Sequence, residues 1–353
     1  NNVDIGAYNV DDTTLTNITA NNNDDGISII ESSNIRATNI ITNFNWEYGI
    51  YLQDVVDIIL TNITANYNNG GIDIEQASDI TLTNIIANNN YDGILIGGSY
   101  IIAAANIITN FNNEYGIYLE QVENTTLTNI TANYNGAGIY LDNSYDSNLT
   151  HIIVANSEQE GIYITSSENN FLSDTVIFNN TEALHIEYSE KNNVSNIIAH
   201  SNNYGIYLFE THSNTIKNSI IKNNTYGIYL HSAWENLIYN NIFNNINNVG
   251  FEGDIYPNYW NITKHPGTNI WKQLLGYKGG YIGGNLWITP MGRGHSDICN
   301  DTDKDGFCDD PYVLATDNID YLPLVKLVVI EIPGHPIFKS LVGLGMGISF
   351  FFL

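Results

Sequence analysis

Positive charge is scarce in this chain. Among 353 residues, Lys and Arg number 11 against 38 Asp and Glu, for a net charge of -27. Binding a phosphate backbone needs a basic face, so the composition excludes a nucleic-acid partner. It also argues against an electrostatic hold on anionic lipid. It suits a surface that repels its own copies or collects cations. The shortage is uneven, because no Lys precedes Lys191 and Arg36 is the one Arg before it. Cysteine is nearly absent as well. Cys299 and Cys308 lie close together in a loop-like segment. They read as a disulfide formed in an oxidising compartment, with two free thiols as the alternative. No phosphate-binding Gly loop or nucleophile elbow occurs. No signal peptide is seen either, and Asn1 reads as a mature or trimmed start.

What is present is repetition. "NNEYGIYLE" from Asn112 returns as "NWEYGIYLQ" from Asn45, "NNYGIYLFE" from Asn202 and "NNTYGIYLH" from Asn223. Aligning the Gly before each phrase gives Gly26, Gly49, Gly71, Gly93, Gly116, Gly138, Gly161, Ala183, Gly205, Gly227 and Gly250. Each interval is 22 or 23 residues. Asn17, Asn39, Asn62, Asn84, Asn106 and Asn129 share one phase, and Asn21, Asn43, Asn66, Asn88, Asn110 and Asn133 share another. The β-branched runs between them are too short for helices and favour strands.

One period therefore holds about three short strands that pair in parallel with the next period. The expected fold is all-β: a right-handed, single-stranded parallel β-helix of about 11–12 turns. At about 4.8 Å per turn the rod would be roughly 55 Å long. Within the phrase, Gly permits the bend, Ile and Leu point inward and Tyr points outward. The Asn columns are expected at bends, with amides bonding along the stack. Ladder positions such as Asn17 and Asn62 should then be buried. Among the N-x-S/T sequons this leaves Asn148, Asn193 and Asn261 as better glycan acceptors than Asn17, Asn62 or Asn129.

The chain divides into repeats over 1–250, a cap over 251–324 and an apolar segment over 325–353. The cap is rich in Gly, Pro and aromatics, with Trp260, Trp271 and Trp287. The first turn has no matching cap, and a bare end invites pairing, so self-association through ends or faces is expected. Residues 337–353 are apolar apart from Lys339 and just long enough to span a bilayer. Membrane anchoring and packing against protein are the two readings.

The sharpest motif is "DTDKDGFCDD". Asp301, Asp303 and Asp305 alternate before Gly306, Phe307 offers a carbonyl, and Asp309 stands ninth. Hard oxygen donors at this spacing suit Ca²⁺. Tyr312 replaces the twelfth-position Glu of an EF-hand, so Asp310, Asp317 or Asp320 would complete the shell. The "GIYL…N-N" turns resemble bacterial and archaeal β-helix repeat proteins. These include the periplasmic copper-binding accessory family of nitrous oxide reductase and archaeal surface-layer-like proteins. "GGNLW" from Gly283, the acidic loop and "NIDYLPL" from Asn318 resemble that group's C-terminal signature. The resemblance, over about residues 1–324, implies the fold and the acidic loop. Copper does not carry over, because there are two Met, the Cys read as paired, and the eight His do not cluster in sequence.

The outward columns carry the remaining candidates. Tyr51, Tyr118, Tyr140, Tyr163, Tyr207 and Tyr229 form a ladder beside Glu75, Glu120, Asp142 and Glu187. Tyr118, Tyr140 and Tyr163 are candidates for binding sugar rings, although stacked Tyr also support strands without a ligand. Glu120 and Asp142 fall on adjacent turns about 5 Å apart, the range of retaining glycosidases. They are the catalytic candidates. His185 with Glu187, and His231 with Tyr229, are further acid–base sets. The Lys-free first half offers no base for a polysaccharide lyase other than Arg36. The leading reading is an extracellular, non-catalytic cell-surface rod that forms a layer, filament or adhesin. The alternative is a polysaccharide-binding or polysaccharide-degrading β-helix, with a surface polysaccharide as partner. The third is a periplasmic metalloenzyme accessory protein.

Overall fold

The structure is a computed structural model that describes residues 4–326. The apolar stretch 337–353 lies outside the described residues. Among the described residues, no helix is long and apolar enough to cross a membrane. The chain winds into a right-handed parallel β-helix of about 11 turns, as the period requires. Strands of successive turns build one sheet of 12 strands and another of 16.

The first sheet is the "GIYL" phrase stacked on itself. Tyr48–Gln53 pairs in parallel with Gly70–Glu75, placing Ile50 on Ile72 and Leu52 on Ile74. These side chains are fully buried. Burying each one contributes about 1.5–3 kcal/mol, so the rod is held by a continuous aliphatic column. The second sheet carries the "NITAN" runs. In the early turns its strands are long, as in Val56–Thr64 and Ser78–Ile86, and each bends at an Asn. Asn39, Asn62, Asn84, Asn106 and Asn129 sit at φ 56–58°, a left-handed conformation that Asn tolerates better than most residues.

That geometry overturns one expectation. Asn17 and Asn62 are exposed, not buried. The left-handed kink turns their amides outward, where Asn39 Nδ2 donates to Asn17 Oδ1 at 3.0 Å and Asn62 Nδ2 to Asn39 Oδ1 at 3.0 Å. The buried ladder is a different column, running through Asn45, Asn68, Asn90, Asn112 and Asn135. There the Asn45 and Asn68 backbone N–H groups donate to Asn68 and Asn90 Oδ1, both at 2.8 Å. Asn68 Nδ2 also caps Thr42 O at 2.9 Å. Each amide satisfies backbone groups at a corner that would otherwise be orphaned in the interior.

The coil does not stop at Gly250. Leu286–Ile288 adds a strand beside Ile242–Asn244, and Trp287 stacks on Phe243 at 4.6 Å. Trp260 and Trp287 are fully buried over the last turn. Their indole N–H groups donate to Asn318 Oδ1 at 3.0 Å and Asp320 Oδ2 at 2.8 Å. The cap is therefore bonded into the solenoid and shares its core.

Candidate functional site

Two outward columns meet on the first sheet. One is the Tyr ladder two residues after each Gly. The other is the residue just before it: Tyr48, Gly70, Asp92, Tyr115, Ala137, Glu160, Glu182, Tyr204 and Tyr226. Gly brings them together because it packs directly under the next turn: a Cβ on Gly116 would lie 2.5 Å from Gly138 O. The rings of Tyr115 and Tyr118 stack at 4.8 Å, and those of Tyr48 and Tyr51 at 5.1 Å.

The three Tyr singled out from the sequence form one continuous ladder. Tyr118 meets Tyr140 edge-on at 5.2 Å, and Tyr140 meets Tyr163 at 4.6 Å. His185 continues it at 4.5 Å from Tyr163, and Tyr207 follows at 4.7 Å. Burial pushes the Tyr118 phenol up to about 12, helped by Glu120 and Asp142. Burial first and Asp142 second raise the Tyr140 phenol as well. Both phenols stay protonated and can donate hydrogen bonds.

A cleft of about 510 Å³ opens where one turn is locally small. Gly136 and Ala137 form its floor, between a wall at Glu114 and Tyr115 and a wall at Gln159 and Glu160, with Tyr140 and Tyr163 alongside. Three of its lining side chains are carboxylates, Glu114, Glu158 and Glu160, and none is Lys or Arg. Burial raises the Glu160 carboxyl from its ordinary value, partly offset by a backbone hydrogen bond. Apolar ring faces beside hydrogen-bond acceptors suit a ligand with both C–H faces and hydroxyl groups.

Glu120 and Asp142 stand directly opposite each other on neighbouring strands. They are not among the residues lining the cleft. Asp142 Oδ1 accepts from Asn143 Nδ2 at 2.8 Å. His185 Nε2 lies 3.9 Å from Glu187, and His231 Nδ1 lies 3.5 Å from Glu252. Arg36 is committed to Asp57 on the second sheet at 2.8 Å. In the cap, Cys299 and Cys308 are joined by a disulfide. Carboxylate oxygens of Asp301, Asp303 and Asp309 converge within 4.8 Å. Asp305 turns instead to an ion pair with Lys264. Asp320 holds Trp287 and Asn285 in the interior, and the Phe307 ring is buried in the cap core.

Sequence reasoning missed Tyr115, Ala137 and Glu160. Their signal was available: "EYG", "GAG" and "QEG" in successive turns place a small residue between two large ones just before the aligned Gly.

The sequence profile of the family described as periplasmic copper-binding protein (NosD) matches residues 56–156 and 110–292. No curated protein matches the chain in sequence. Among solved structures, the chain is similar to an Azotobacter vinelandii mannuronan C-5 epimerase AlgE6 A-module, with 12% identity, TM-score 0.43 and 69% of each chain covered. It is similar to the catalytic domain of a GH87 alpha-1,3-glucanase, with 12% identity, TM-score 0.46, and 70% of this chain and 63% of that one covered. The Siphovirus 9NA tailspike receptor binding domain gives 12% identity and TM-score 0.47, covering 69% of this chain and 52% of that one. Likeness at this level says nothing about a substrate.

Proposed function

The chain belongs to the periplasmic copper-binding protein (NosD) family, and from that premise we propose that it binds a polysaccharide outside the cytoplasm. The observation that carries this reading is the cleft between Tyr115, Tyr140, Tyr163 and Glu160. A purely mechanical rod needs no such cleft. Tyr rings supply flat apolar area at low entropic cost, and carboxylates accept sugar hydroxyl groups. With carboxylates and no cation in the lining, the cleft favours a neutral or amino sugar over a uronate. Binding screened against soluble glucans, chitosan and alginate should favour the first two. Tyr140→Ala should weaken binding roughly tenfold with circular dichroism unchanged. Equal affinity in the variant, or a preference for alginate, would refute the reading.

The family description names copper, but the described residues offer little to a soft Cu(I) ion. Both Cys are in the disulfide, and Met291 is exposed on the cap. The acidic loop fits Ca²⁺ better, with three carboxylates converging beside Gly306. Ca²⁺ there would clamp the segment that seals the last turn. Chelator should lower the melting temperature of the native protein by several degrees, and Asp301→Asn should abolish that response. A melt indifferent to chelator would remove calcium from the account.

A further inference from the structure

At the edge of the cleft, Glu160 meets two further metal-ligating side chains on the same sheet, Glu182 and His185. Glu160 and Glu182 stand in register on neighbouring strands, and His185 follows on the second. One carboxylate oxygen from each Glu and one ring nitrogen of His185 lie within 4.8 Å of one another. His185 Nδ1 and Glu182 Oε2 approach to 2.8 Å. Yet both atoms, and His185 Nε2, are buried without a hydrogen-bond partner. Lone-pair atoms that face each other out of hydrogen-bond alignment are arranged like two ligands of one cation. Ligands bound at about 2.0–2.2 Å are themselves roughly 3 Å apart.

The surroundings hold the imidazole in place. Tyr163 and Tyr207 flank the ring, with centroids at 4.5 and 4.7 Å. Glu187 lies 3.9 Å from Nε2, and its carboxylate accepts from the Tyr163 hydroxyl. The next basic residue along the chain, Lys191, is paired with Glu168 and Glu190.

We propose that Glu160, Glu182 and His185 form a binding site for a divalent transition-metal ion of the Zn²⁺ class. One imidazole and two carboxylates suit such an ion better than Ca²⁺, which takes oxygen ligands, or Cu(I), which takes sulfur. Three protein ligands leave a fourth position open to water or a ligand. The site differs in donor type from the Asp301–Asp309 loop; it shares Glu160 with the cleft, but its Zn²⁺ readout needs no glycan.

Titration calorimetry of the native protein with Zn²⁺, and visible absorption with Co²⁺, test it. The expected result is one tight Zn²⁺ equivalent and Co²⁺ bands that need His185. His185→Phe keeps an aromatic ring between Tyr163 and Tyr207, and it should weaken Zn²⁺ binding more than about tenfold and erase the bands. Glu182→Gln should weaken binding in the same direction, and it decides the matter if His185→Phe does not fold. Asp301→Asn should leave both signals intact. Absence of tight binding in the native protein, or signals unchanged in a folded variant, overturns the proposal. Failure of Tyr140→Ala to affect glycan binding would leave this result standing.

Discussion

In the early turns, the second sheet is built from strands of 9 residues, such as Val56–Thr64. Later the same stretch splits in two, as in Thr215–Lys217 and Ile220–Lys222. The difference follows two interior columns. One begins with Ile35, Ile58, Ile80 and Ile102, each stacked on the next. It then passes through Thr125 and Ser147 into Asn170, Asn192, Asn214, Asn236 and Asn258. The other begins with Ile40, Ile63, Ile85 and Ile107 and ends in Ser219, Asn241 and Asn285. The same buried track thus changes from aliphatic side chains to amides as it nears the cap.

The change shows two ways to hold a solenoid. An Ile column is non-directional and tolerates gentle bends. An Asn column is directional, and it fixes a sharp corner because each side chain closes backbone groups on either side. Asn214 shows the pattern: it accepts from the Asn192 N–H at 2.9 Å and donates to Asn236 Oδ1 at 3.1 Å. These ladders end on Asn318 and Asp320, which also hold Trp260 and Trp287 of the cap. Where the chemistry changes, Thr125 is left with a buried hydroxyl that has no partner.

The largest effect should come from breaking an amide track. Asn214→Leu strands donors and acceptors in neighbouring turns and should cost about 3 kcal/mol in chemical denaturation. A cost below about 1 kcal/mol would mean the amides add no more than burial does.

The early half should also respond to pH, because Asp73 interrupts its Tyr ladder. Burial first, then Glu75, lifts its carboxyl to about 7. Between about pH 4 and that value, the folded chain keeps a proton that the unfolded chain has lost. Stability should therefore fall as pH rises through this window and level off above it. Asp73→Asn should lessen the slope of the urea midpoints, the remainder coming from Asp92 and Asp320, which burial raises in the same direction, and an identical slope in the variant would rule Asp73 out as a cause.

Thr125→Val sharpens the junction. Removing an orphaned hydroxyl should stabilise the fold by about 1 kcal/mol, seen as a higher melting temperature. Destabilisation would show that the hydroxyl has a partner. The smallest effect belongs to the outer ladder. Asn62→Gly keeps the left-handed backbone and removes only exposed bonds, so it should change stability by no more than about 0.5 kcal/mol.

Much of this was legible in the chain. The period gave the coil, alternation placed Ile50 and Leu52 inside, and Tyr118, Tyr140 and Tyr163 fell on one outward line. The Asn parity was misjudged at Asn17 and Asn62, because a left-handed kink resets which way a side chain points. The cleft was missed because its floor is a pair of small residues, Gly136 and Ala137, whose meaning depends on Tyr115 and Glu160 one turn to either side.

Stacking is a one-dimensional problem, so a regular spacing of Gly, Ile and Leu settles the winding, the register and the aliphatic core without further information. The cleft, the Glu160–Glu182–His185 cluster and the cap's hold on the last turn are decided in three dimensions. They depend on side chains a full turn or more apart in sequence, whose meeting is set by the exact twist and kink of each strand.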